Sequence, residues 1–133
     1  MLEQWEFNLR RLKDKIDDSS MKVQIAYVKM RRDPNYDSYP DIYAASGALG
    51  NLVTTIEDIK EDLGVRLSGP RRLSIEDFQE KVEDLLEKVE DTRQRMLQVP
   101  GYNSPRDIAY FVKSIDDLYD TLADMWLLKK SKL

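Results

Sequence analysis

The feature that most constrains this chain is a row of apolar residues between Ser74 and Val99, spaced alternately three and four apart. Its members are Ile75, Phe78, Val82, Leu85, Val89, Thr92, Met96 and Val99. The spacing is the heptad period of ~3.5 residues, which lays one narrow apolar seam along one side of an α-helix. Such a helix is marginal alone in water, so the rest of the chain must supply its partners. Its start reads as Ser74, with Asp77 three residues on as in a capping box and Leu73 and Phe78 as a hydrophobic staple. Glu76, Asp77 and Glu80 lie near the positive end of the helix dipole, and Arg93 and Arg95 near the negative end.

Three more seams share the period. Leu2, Trp5, Leu9, Leu12, Ile16, Ser19, Val23, Ala26 and Met30 mark a first helix, in which Asp17-Asp18-Ser19-Ser20 is either a bend or a run-through with Ser19 as a small core residue. Met21, Ile25 and Val28 lie off that seam, either widening the core face or facing another helix or chain. Asp33 to Pro40 is turn chemistry, and a second helix follows with the seam Ile42, Ala45, Leu49, Leu52, Ile56, Ile59 and Leu63, closed by Gly64. Within it, Gly47 and Gly50 cost about 1 kcal/mol each relative to alanine. Close approach of a neighbouring helix is the expected compensation, and a partner resting on bare backbone is the alternative. After Pro100-Gly101-Tyr102-Asn103, Ser104 caps a last helix with Pro105 at its first position and the seam Ile108, Phe111, Ile115, Leu118, Leu122 and Met125. Beyond the shared heptad, no internal repeat is expected.

Short connectors make successive helices antiparallel. The expected fold is all-α: a single-domain, up-down-up-down four-helix bundle with a coiled-coil-type heptad core and helices over about 2–32, 40–63, 74–98 and 105–128. At 133 residues the chain is long enough for one continuous core. No apolar run reaches the ~18 residues of a membrane span.

The chain has no cysteine and no histidine. Thiolate chemistry, histidine-based triads and the usual zinc sites are therefore excluded, and no cofactor or metal is expected. No seam position holds a carboxylate, and Glu83, Glu87 and Glu90 read as a solvated face. The lack of cysteine suits a reducing compartment, and a cytoplasmic protein, or one inside a virion, is the expectation.

Two groups of residues are candidates for binding. In an up-down-up-down bundle the first and third connectors meet, bringing Tyr36, Tyr39, Tyr43 and Tyr102 near Arg31, Arg32, Arg95 and Arg106. Tyrosine and arginine favour protein interfaces, because each buries area while keeping a polar handle. The opposite end holds Arg66, Arg71 and Arg72 with Lys129 and Lys130, the better place for an anion or nucleic acid. Charge is also sorted by helix: residues 33–63 carry one basic and seven acidic side chains, residues 74–98 four and eight. The expected function is a non-catalytic protein-interaction module: a small adaptor, inhibitor or structural subunit, by class-level analogy an accessory protein of a virus or mobile element. Homodimerisation through Met21, Ile25, Val28, Tyr119 and Trp126 is part of that expectation. The alternative is a nucleic-acid-binding regulator using the basic 66–72 connector and the C-terminal lysines.

Overall fold

The structure is a computed structural model that describes residues 3–102 and 105–128. It contains four α-helices, α1 (Gln4–Arg32), α2 (Tyr39–Leu63), α3 (Gly69–Gln98) and α4 (Pro105–Leu128), with a 3-10 turn at Gly64–Arg66. Among the described residues each helix packs on its chain neighbours and α4 returns to α1, while the backbones of the diagonal pairs stay apart. That is the four-helix bundle the seams call for. Among the described residues there is no strand.

Every seam residue of α1, α2 and α4 named above is buried, apart from Leu2, which lies outside the described residues. Helix α1 is unbroken through Asp17–Ser20, because Ser19 is fully buried and its Oγ donates to the Lys15 carbonyl at 3.1 Å. Gly64, at φ 51°, ends α2 as expected, and its N–H donates to the Lys60 carbonyl.

Helix α3 departs from expectation at its start. It begins at Gly69, so Ser74 is not its cap but lies inside it, donating from Oγ to the Arg71 carbonyl at 2.8 Å. Leu73 is exposed and forms no staple. Pro70 explains the earlier start: its fixed φ suits the first helical turn, and Gly69 takes the positive φ of 59° that brings the chain there. The connector shortens accordingly, and Leu67 within it is a core residue. At the far end Val99 leaves the seam as an exposed C-cap.

The small residues of α2 also correct the expectation. Ala45 and Ala48 are buried, but a Cβ added at Gly47 or Gly50 would meet nothing within 4 Å. Among the described residues no helix approaches the glycines, so their cost is not offset there. Gly47→Ala and Gly50→Ala are each expected to raise unfolding free energy in urea by about 0.5–1 kcal/mol. A loss of stability would show that something already occupies that space. Met21, Ile25 and Val28 likewise face outward and do not widen the core.

The fold also exposes an internal repeat. Shifting α1–α2 by 66 positions lays it on α3–α4 without a gap, so that the seam from Leu9 to Ile59 falls on the seam from Ile75 to Met125. The connectors match most closely: Pro34-Asn35-Tyr36-Asp37-Ser38-Tyr39-Pro40-Asp41-Ile42 against Pro100-Gly101-Tyr102-Asn103-Ser104-Pro105-Arg106-Asp107-Ile108. The geometry repeats with the residues. The Asp33 N–H donates to the Lys29 carbonyl at 2.9 Å, and the Val99 N–H to the Arg95 carbonyl at 2.8 Å. The N–H of Tyr36 then donates to Asp33 at 2.9 Å, and that of Tyr102 to Val99 at 3.0 Å. The molecule is two copies of one helical hairpin closed face to face.

Candidate functional site

The two equivalent connectors meet at one end of the bundle. Between them lies a cleft of about 470 Å³ lined by Pro34, Asn35, Tyr36, Asp37, Tyr39, Met96, Leu97, Gly101 and Tyr102. Three of the four candidate tyrosines therefore share one wall. Tyr43 stands beside it, one turn into α2, with its ring 6.2 Å from that of Tyr39.

Each connector tyrosine is held by the same pair of partners. The Tyr36 hydroxyl donates to Asp41 at 2.6 Å and accepts from the Lys29 ammonium at 3.5 Å, which also lies over the ring. The Tyr102 hydroxyl donates to Asp107 at 2.7 Å, and the Arg95 guanidinium stands close enough that this hydroxyl, before any other group, raises its pKa. Cation, tyrosine and carboxylate thus recur 66 positions apart, on a helix end, its connector and the next helix start. The Asp41 carboxylate, as acceptor, pushes the Tyr36 hydroxyl above its ordinary pKa, so Tyr36 is neutral at physiological pH. These bonds fix both tyrosines in the wall of the cleft.

A second network ties α2 to α3 beside the cleft. Ser46 donates to Glu90, the Arg93 guanidinium donates to the other oxygen of Glu90 at 2.9 and 3.1 Å, and Arg93 also reaches the Tyr39 hydroxyl at 3.5 Å. Ser46, then Arg93, hold the Glu90 carboxyl below the usual carboxylate range. Arg93 also lies 6.0 Å from the Tyr43 ring centre. The partners Lys29, Asp41, Asp107, Glu90 and Arg93 are not evident from residue type alone. The signal that finds the first three is the 66-position repeat.

The remaining candidates scatter. Arg31 is exposed over the Tyr27 ring, Arg32 sits beside Met21, Ile25 and Val28 on the outer face of α1, and Arg106 is exposed on the first turn of α4. None of the three lines the cleft. At the opposite end, Arg66 donates to the Asp62 and Leu63 carbonyls that end α2. Arg71 pairs with Glu3 at 2.9 Å and covers the Trp5 ring, and Arg72 pairs with Glu76 at 3.0 Å. All three arginines are thus engaged within the fold. Lys129 and Lys130 lie outside the described residues, as does the Ser104 cap. Among the described residues, no group of three acidic side chains could hold a metal ion, and no helix is long and apolar enough to cross a membrane.

Tyr119 and Trp126, expected at a dimer face, pack against the bundle's own core. The Tyr119 hydroxyl donates to Asp17 of α1. Burial first, then that bond, raises the Tyr119 pKa to about 12, while the Tyr119 bond holds the Asp17 carboxyl below its ordinary 3.8. One contact therefore carries two opposite edges. A depressed carboxyl stabilises above its unfolded pKa and loses that contribution as acid protonates it. A raised hydroxyl contributes below the unfolded value near 10 and loses its contribution as pH climbs toward about 12. Unfolding free energy is expected to fall both below pH 3.8 and between pH 10 and about 12. Tyr119→Phe should flatten both limbs in the same urea titration.

Compared with known proteins, the chain matches no family model, no curated protein and no solved structure.

Proposed function

We propose that this protein is a non-catalytic protein-interaction module that binds its partner at the connector end of the bundle. The observation that carries this reading is the cleft closed by two copies of one connector. Its wall joins tyrosine rings to Met96, Leu97 and Pro34, and each connector tyrosine is anchored by its own carboxylate and cation. Aromatic side chains with few torsions, already fixed, bury area on binding at small entropic cost. That is the make-up of an interface hot spot. The absence of histidine and cysteine from the sequence supports contact over chemistry, and the absence of cysteine suits work in a reducing compartment such as the cytoplasm.

The test is a photo-reactive phenylalanine analogue placed at Tyr39, with a control at Glu80 on the outer face of α3, in the cells that make this chain. A single protein adduct of discrete mass from position 39, absent from position 80 and lost with Tyr36→Ala and Tyr102→Ala, is the expected result. Equal labelling from both positions, or an adduct that is nucleic acid, would overturn the reading.

A further inference from the structure

The internal repeat supplies a control for the outer surface. Met21, Ile25 and Val28 of α1 stand where α3 carries Glu87, Asp91 and Gln94. All six side chains are exposed, and both helices do the same internal packing. The scaffold is thus built with polar side chains on this face in one hairpin and apolar side chains in the other. Nothing inside the fold asks for the apolar set. Met21 is 58% exposed, Val28 43% and Ile25 36%, and with Gln24, Lys29 and Arg32 they line one shallow apolar groove. Exposed apolar side chains grouped on one helix face mark an interface.

The charges along the same face select the occupant. Asp14 and Asp18 precede the apolar set, and Lys29 and Arg32 follow it. Asp18 has only Lys22 within reach, at 4.0 Å, and neither Asp14 nor Arg32 is engaged by another described residue. The face is acidic, apolar, basic in chain order, and it is therefore complementary to itself when reversed. Laid antiparallel with Ile25 on the axis, Met21 of one copy meets Val28 of the other and Arg32 meets Asp18, with Asp14 one turn farther out. A parallel arrangement would set like charge against like.

We infer that this protein self-associates as a symmetric dimer through antiparallel packing of the outer faces of α1 about Ile25. The contact runs from Asp18 to Arg32, ~21 Å of helix at 1.5 Å per residue. One helix pair of that length belongs to the small, reversible class of interfaces, so dissociation in the micromolar range is expected. The inference goes beyond the connector-end reading and does not rest on it, since none of its substitutions touches Tyr36, Tyr39 or Tyr102.

Sedimentation velocity of the full chain across the micromolar range is the test. A monomer–dimer equilibrium is expected, and Ile25→Lys, which sets two ammonium groups together on the axis, should leave monomer alone. Arg32→Glu should weaken the dimer about tenfold or more. Adding Asp14→Lys and Asp18→Lys to Arg32→Glu should restore it, which only an antiparallel register permits. The absence of native cysteine allows a further readout that does not depend on the lysine variant folding. Ile25→Cys should oxidise to a covalent dimer, and Phe7→Cys, on the same helix but away from the axis, should not. A wild-type chain that stays monomeric, or a dimer indifferent to Ile25→Lys and to charge reversal, would overturn the proposal. So would assembly that grows beyond two copies, which would mark a head-to-tail contact.

Discussion

Trp5→Ala is expected to lower the unfolding free energy by about 3–5 kcal/mol, the range for deleting a large buried aromatic side chain. Against total stabilities of about 5–15 kcal/mol for natural domains, that is a third or more of what the fold has. Trp5 is 2% exposed and stands where three helices meet. Its Nε1 donates to the Met125 carbonyl near the end of α4 at 3.2 Å, and Arg71 of α3 covers its ring at 4.9 Å. Arg71 is held there by Glu3 at 2.9 Å, which adds the residue before α1 to the cluster. Trp5→Phe keeps most of the apolar contact and gives up the indole hydrogen bond to α4, so about 1–2 kcal/mol is expected. Urea denaturation of both variants separates packing from hydrogen bonding. Near-equal losses would show that the indole N–H, not the ring volume, secures the helix ends.

Asn8→Leu is expected to act in the opposite direction, raising stability by about 1–3 kcal/mol. Asn8 is 1% exposed, and its Nδ2 has no hydrogen-bond partner among the described residues, while its Oδ1 accepts from Arg11 at 3.2 Å. A buried amide with an orphaned donor forfeits hydration without recovering it. Leucine has the same branching and heavy-atom count and asks for nothing. Arg11 would lose one acceptor but keeps Asp62 at 3.8 Å near the surface. The repeat sharpens the point, because the counterpart of Asn8 is Ser74, whose hydroxyl is satisfied by the Arg71 carbonyl. A thermal or urea midpoint that falls for Asn8→Leu would mean that the amide fixes helix register, a role buried asparagines play in coiled coils.

The seams were legible because burial acts on each residue at a fixed period. From Trp5 to Met125 the positions the three-and-four spacing marks are buried, apart from half-buried Met96 and exposed Val99, while Asn8, Ser38, Ala48, Thr55, Leu67 and Thr121 are buried off the seams. What lies outside the seam was not legible, for reasons particular to each place. Ser74, Asp77 and Leu73 match a capping pattern that is purely local, and it competes with an equally local start signal at Gly69-Pro70, which is the one the fold uses. Gly47 and Gly50 carry the same letters whether a helix presses on them or solvent does. Met21, Ile25 and Val28 could widen a core or leave it, and only the placement of neighbouring helices decides. The repeat was hidden by the heptad itself. Four helices with one period resemble one another at every shift by seven, so the connectors, where residue identity is not dictated by the seam, were the place to look. They hold the tyrosine–carboxylate–cation elements that make the candidate site.

The closed ring of helices has a consequence for how the chain holds together once cut. The 3-10 turn at Gly64–Arg66 joins the two hairpins, and Val65 within it is 98% exposed. A protease nick there severs a tether but none of the four helix–helix interfaces. Each hairpin keeps its own tight connection, while the α2–α3 and α1–α4 contacts become bimolecular. The closure entropy that the tether now supplies would reappear as a dependence on concentration. Cleaved protein should thus remain a complementing pair of fragments, its melting point rising with dilution reversed.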